Sequence, residues 1–101
     1  RSSVLRGMAV RLRVLYFAAA REAAGVESEE VSLEEEGTDD RGTPYATTEA
    51  LEELLLGRYP KLKDVFRTVV LAVNMDYVDK GARVKLVPGD EVALIPPIGG
   101  G

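Results

Sequence analysis

Val10-Arg11-Leu12-Arg13-Val14-Leu15-Tyr16-Phe17 alternates with a period of two, the spacing of a strand that buries one face. Val10, Leu12, Val14 and Tyr16 share one side, and Arg11, Arg13, Leu15 and Phe17 share the other. Such a strand needs neighbours, and the chain offers them on both sides. Ala18 to Ala24 reads as a short helix, stopped by Gly25 in the C′ position. Val26 to Leu33 can form a second strand, with Val31 and Leu33 on one face. Further along, Thr68 to Val73 is a continuous apolar run of strand length. Tyr77-Val78 makes a short strand after a turn at Asn74-Met75-Asp76, and Lys80-Gly81 turns the chain again. Val84 and Leu86 lead into Pro88-Gly89-Asp90, whose Pro-Gly centre suits a type II turn. Glu91-Val92-Ala93-Leu94-Ile95 is the last strand and runs straight into Pro96-Pro97.

Between these two strand-rich parts lie a loop and a helix. Glu34 to Tyr45 is rich in acid, Gly and Thr, with Pro44 near its end, and reads as a solvated connection. Thr47 is a good helix N-cap, and Glu49, Glu52 and Glu53 suit the positive end of the helix dipole. Leu51, Leu54, Leu55 and Tyr59 recur at helical spacing, and Pro60 ends the helix. Leu62, Val65 and Phe66 suggest one further helical turn. An early strand pair, one main helix and a later strand pair follow the β-grasp plan. This is an α+β fold in which a mixed sheet carries its main helix on one face and the first and last strands lie side by side at the centre. The expected organisation is one domain over residues 8–95, preceded by residues 1–7 as a short extension or cloning remnant and followed by a tail at 96–101.

The chain has 101 residues, is 46% hydrophobic and carries a net charge of −4. That is enough for a modest core. The charge argues against nucleic acid and suits a partner that is basic around its docking site. No apolar run is long enough to span a bilayer, and the first residues lack the pattern of a secretory signal, so a cytosolic protein is expected. Cysteine and histidine are absent. Disulfides, thiolate or imidazole metal ligands, cysteine nucleophiles and a histidine base are therefore unavailable. A self-sufficient enzyme does not fit this inventory.

The end of the chain, Pro96-Pro97-Ile98-Gly99-Gly100-Gly101, looks like a chemical handle. Glycine has no Cβ and can thread a channel that excludes other residues. The prolines fix φ and remove backbone donors, so the tail leaves the last strand in a set direction. Six residues reach on the order of 20 Å when extended. Strand parity adds a second feature. Phe17 lies away from the core side, and Ile95 shares a face with Glu91 and Ala93. If the first and last strands are neighbours, Phe17 and Ile95 form an exposed apolar patch at the tail's exit, which marks an interface.

Together these residues resemble the small, sulfur-carrying subunits of molybdopterin synthase, members of the ubiquitin-like β-grasp family. The resemblance is carried by Val14-Leu15-Tyr16-Phe17-Ala18 with Arg21-Glu22 and Gly25, by Thr47-Thr48-Glu49-Ala50-Leu51, by Leu71-Ala72-Val73-Asn74, and by Pro88 through Ile98 followed by terminal glycines. Two departures stand out. Gly99 occupies a position where the family usually has a small polar residue, and the acidic segment from Glu34 to about Tyr45 is longer than in compact members.

The resemblance implies that Gly101 carries the sulfur as a thiocarboxylate and that Gly100 keeps the tail narrow. Phe17, Tyr77, Ile95, Pro96, Pro97, Ile98 and Gly99 would meet the large catalytic subunit. An ATP-dependent adenylating and sulfurating enzyme would activate the carboxyl, ATP being used there, with no cofactor bound by this chain. The acceptor would be cyclic pyranopterin monophosphate, in an assembly of two small and two large subunits. Three alternatives share the outline. They are a carrier of the same fold serving thiamin or tRNA thiolation, a ubiquitin-like modifier joined to lysines, and a non-covalent binding module with an inert terminus.

Overall fold

The computed structural model describes residues 9–79 and 81–97. The expected extension at 1–7 and the glycine end of the tail lie outside these residues. Within the described part, the opening strand β1 (Ala9–Tyr16) leads into the short helix α1 (Ala19–Ala24) and then strand β2 (Ser28–Glu34). Gly25 ends α1 in the left-handed region at φ 80°, with its N–H bonded to the Arg21 carbonyl. A small β3 (Gly37–Thr38) and β4 (Pro44–Thr47) precede the main helix α2 (Thr48–Arg58) and the single turn α3 (Leu62–Val65). Strands β5 (Val70–Val73), β6 (Asp76–Val78), β7 (Lys85–Leu86) and β8 (Glu91–Ile95) complete the order.

Five strands form the main sheet among the described residues, in the order β2-β1-β8-β5-β6. β1 runs antiparallel to β2 and parallel to β8, and β8 is antiparallel to β5. The first and last strands are therefore central neighbours, as the order of elements predicts. Val10, Leu12, Val14 and Tyr16 of β1 face the same side as Val92 and Leu94 of β8, and all six are buried. Ala20 and Ala24 of α1, Leu51 and Leu55 of α2, and Leu62 of α3 close over them to form the core. Burying these apolar side chains supplies the main drive to fold. No helix among the described residues is long and apolar enough to cross a membrane.

The segment 34–45, expected to be a loop, is partly structured. β3 and β4 pair as a hairpin whose turn is closed by Asp39, and the Asp39 carboxylate accepts from the N–H groups of Arg41 and Thr43 at 2.9 Å each. These bonds hold its carboxyl below the usual aspartate range. Glu36 has a second role. Its Oε2 accepts from both the N–H and the hydroxyl of Thr47 at 2.9 Å, while Thr47 Oγ1 caps α2 by accepting from Ala50 N at 3.3 Å. One carboxylate of the acidic run thus orders the start of the main helix. Local charge density could not reveal this, because the partner is eleven residues away.

Thr48 fastens the other side of that helix start. It is buried, its N–H donates to the Val84 carbonyl at 3.0 Å, and its hydroxyl oxygen accepts from Val84 N at 3.1 Å.

Candidate functional site: an apolar row beside the tail exit

The sheet has one face covered by helices and one face that is not. On the uncovered face the register aligns Leu15 of β1, Ala93 of β8, Ala72 of β5 and Tyr77 of β6 in one row across four strands. Tyr77 is 62% exposed. Ala72 is 4% exposed although it stands outside the core cluster. The next level toward the tail pairs Ile95 with Val70.

Phe17 joins this level from the end of β1. Tyr16 is opposite Leu94, so the residues that follow each, Phe17 and Ile95, leave adjacent parallel strands together. Phe17 donates its N–H to the Leu94 carbonyl at 3.2 Å, and its ring is 46% exposed. Ile95 is half-buried. Phe17 and Ile95 thus lie side by side where the chain departs, and Tyr77 stands on the same side of the sheet two strands from β8 and one level back from Ile95. Pro96 and Pro97 follow β8 directly, outside any strand, and both are exposed. Ile98, Gly99, Gly100 and Gly101 lie outside the described residues. The row also includes Leu15, Ala93 and Ala72, with Val70 beside Ile95 on the next level. Parity in single strands can place the first two on this face, but their alignment into a row is a property of inter-strand register.

The direction of exit depends on where β8 begins. Asn74, at the turn between β5 and β6, donates from Nδ2 to Asp90 Oδ1 and accepts at Oδ1 from Glu91 N, both at 2.9 Å. Its own N–H donates to the Glu91 carbonyl at 2.8 Å. Asp90 Oδ2 accepts from Val87 N at 2.9 Å, and the Asp90 carbonyl accepts from Arg13 N at 3.0 Å. Gly89 adopts φ 94° in the Pro-Gly turn and donates to the Arg11 carbonyl at 2.8 Å. This mesh of bonds pins the start of β8 against both neighbouring strands. A one-residue slip of β8 would move Ile95 to the core face and shift the tail with it.

The opposite side of β1 is anchored by a cluster that sequence reasoning did not identify. Glu29 lies opposite Val14 and so faces the core side at its rim. Its Oε2 accepts from the Tyr16 hydroxyl at 2.6 Å and from the Tyr59 hydroxyl at 2.7 Å, and its Oε1 accepts from Arg58 Nη1 at 3.0 Å. The two tyrosine rings meet edge to face, with centroids 5.9 Å apart. Burial alone would raise the Glu29 pKa, but the bonds from Tyr16 and Tyr59 and the charge of Arg58 outweigh it and hold the carboxyl below its ordinary range. Burial, followed by the bond to ionised Glu29, pushes the Tyr16 phenol far above its usual range, so it remains a donor. The cluster locks β1 and β2 to the end of α2.

A model of the ThiS family matches residues 14–101, from the middle of β1 through the last glycine. The chain belongs to the ThiS family. Within this family, the molybdopterin synthase sulfur carrier subunit of Chlamydomonas reinhardtii is 38% identical over 92 residues, covering 91% of this chain and 100% of that one. The subunit of the same name from Homo sapiens is 37% identical over 92 residues, covering 90% and 94%. Among solved structures, a putative molybdopterin converting factor subunit 1 from Pyrococcus furiosus superposes with a TM-score of 0.68 at 33% identity, covering 88% and 99%. Full-length identity at this level places the chain with the molybdopterin synthase sulfur carrier subunits. Its ubiquitin-like β-grasp is thereby explained as the scaffold of a ThiS-family carrier.

Proposed function

We propose that this ThiS-family chain carries sulfur as a thiocarboxylate on Gly101 and delivers it inside the large subunit of molybdopterin synthase. The observation that carries the reading is the match to named sulfur carriers over nearly the whole chain. The apolar row around the tail exit supports it, since a docking face there would orient a tail that must enter another protein.

The chemistry follows from the poor electrophilicity of a carboxylate. On an activating enzyme, the Gly101 carboxylate attacks the α-phosphorus of ATP, giving the acyl adenylate and pyrophosphate. The terminal sulfur of an enzyme persulfide displaces AMP, and a thiol cleaves the resulting acyl disulfide to free the thiocarboxylate. That group is ionised near neutral pH and is a good nucleophile. In the large subunit it attacks a carbon of cyclic pyranopterin monophosphate and displaces an oxygen from it. Water hydrolyses the resulting thioester to leave the sulfur on the pterin and Gly101 as a carboxylate, and two such deliveries make the dithiolene. The active site belongs to the large subunit, and this chain supplies the sulfur. Its net charge of −4 suits basic surroundings on both partners. Such a carrier works in the cytosol, in an assembly of two small and two large subunits.

Intact mass tests the first half. Incubation with ATP, an activating enzyme and a sulfur source should add about 16 Da, as sulfur replaces one carboxyl oxygen. No gain of mass under conditions that load a known carrier would reject the reading.

Docking is tested separately. Phe17→Asp and Ile95→Asp should each weaken binding to the large subunit by roughly 30-fold or more, because each puts a charge into an apolar contact. Both variants should still melt cooperatively, since neither side chain belongs to the buried core. Unchanged affinity in both would remove this face from the interface.

A further inference from the structure

Ala18 sits between β1 and α1 with φ 51° and ψ −124°. This is close to the first central position of a type II′ turn, at about +60° and −120°. The turn is completed by a 3.0 Å bond from Ala20 N to the Phe17 carbonyl. Glycine normally fills that position, because the Cβ of an L residue is crowded there. Ala18 is not a flexible end that drifted into this region. Phe17, immediately before it, is held on both sides, with its N–H on Leu94 of β8 and its carbonyl on the first turn of α1. Ala20, two residues later, is buried in the core.

A strained residue persists where its surroundings over-determine it, and such residues gather at sites that need a fixed geometry. The side chain that this geometry directs is Phe17, which leaves the core at this point and is 46% exposed. We propose that Ala18 is a positioning residue, whose methyl group confines the strand-to-helix turn so that Phe17 is presented ready-made on the docking face. This inference rests on the reading of that face as the large-subunit contact. A glycine at 18 would relieve the strain but let the turn sample many conformations, and the partner would then have to order Phe17 on binding.

Two replacements separate strain from confinement. Ala18→Gly should raise the melting temperature by about 3 °C, as relief of strain outweighs the added freedom of the unfolded chain. It should also weaken large-subunit binding about fivefold. Replacing Ala18 with D-alanine by chemical synthesis keeps the methyl group but makes the same φ and ψ the mirror image of a common extended conformation. That chain should be more stable still and bind as tightly as the original. Amide order parameters of the free proteins give a readout independent of any partner. They should fall at Phe17 to Ala19 in the glycine chain and recover in the D-alanine chain.

A lower melting temperature for Ala18→Gly, or unchanged order parameters, overturns the inference. So does equal affinity of the glycine and original chains. Failure of the original chain to bind the large subunit would instead overturn the docking reading, while the order parameters would still decide whether Ala18 confines Phe17.

Discussion

A chain lacking Gly101, and a chain with one residue added after it, should each lose sulfur delivery by about a hundredfold or more while melting like the original. Removing Gly101 leaves a glycine terminus, because Gly99 and Gly100 precede it. Any loss therefore reports distance and not the type of the last residue. One residue moves the reactive carbon by about 3.5 Å. Misplacement by even 1 Å at a reacting centre can cost on the order of a hundredfold. The fixed start of β8 sharpens the effect. Asn74 and Asp90 hold the strand, so it cannot slide to make up the missing length without breaking four hydrogen bonds at 2.8–2.9 Å. The measurement is dithiolene product formed by the reconstituted two-subunit complex, with a thermal melt of each variant. Near-normal product from both the shortened and the extended chain would reject Gly101 as the sulfur-bearing residue.

Glu29→Ala should produce the largest loss of stability of any single exposed or rim carboxylate, about 3 kcal/mol. This corresponds to a fall of roughly 15 °C in melting temperature for a domain of this size. The magnitude follows from what the substitution strands. Tyr16 is 1% exposed, and its hydroxyl would be left without the acceptor it has at 2.6 Å. Tyr16→Phe in the same chain removes the stranded donor and should restore about 1 kcal/mol. An additive loss from the two substitutions would show that the hydroxyl finds another acceptor.

The cluster also predicts a pH dependence with a definite sign. The folded-state pKa of Glu29 is lower than its ordinary value of 4.5. Its contribution is therefore fully present above that value and is lost as pH falls through the folded pKa, because the unfolded chain takes up the proton more readily. The original chain should lose stability on acidification below about pH 4.5 more steeply than Glu29→Gln. Parallel curves for the two chains would mean that Glu29 is not held ionised by the tyrosines and Arg58.

Much of this molecule is written in local pattern. The period-two run from Val10 to Tyr16 specified a half-buried strand, because successive side chains in a strand must alternate sides. Thr47, Pro60, Gly25 and the Pro88-Gly89 turn marked element ends through backbone chemistry that acts within a few residues. The order of these elements then left few ways to bury their apolar faces, and the β-grasp followed. The proline pair was legible in the same way, since Pro96 and Pro97 stand outside any strand, as residues with a fixed φ and no backbone donor tend to.

Other features could be decided only by the folded chain. Glu36 stands in the acidic stretch that reads as solvated, and Glu29 in the expected strand Val26 to Leu33, where nothing local marks it. Each finds its role through partners 11 to 30 residues away, Thr47 for one and Tyr16, Tyr59 and Arg58 for the other. Parity placed Phe17 and Ile95 on an outer face, but the row of Leu15, Ala93, Ala72 and Tyr77 exists only once four strands settle their register. The left-handed turn at Ala18 is the clearest case, because alanine locally favours a helical or an extended backbone. The bond of Phe17 to Leu94 and the burial of Ala20 in the core place the turn there, although glycine would ordinarily stand at its centre.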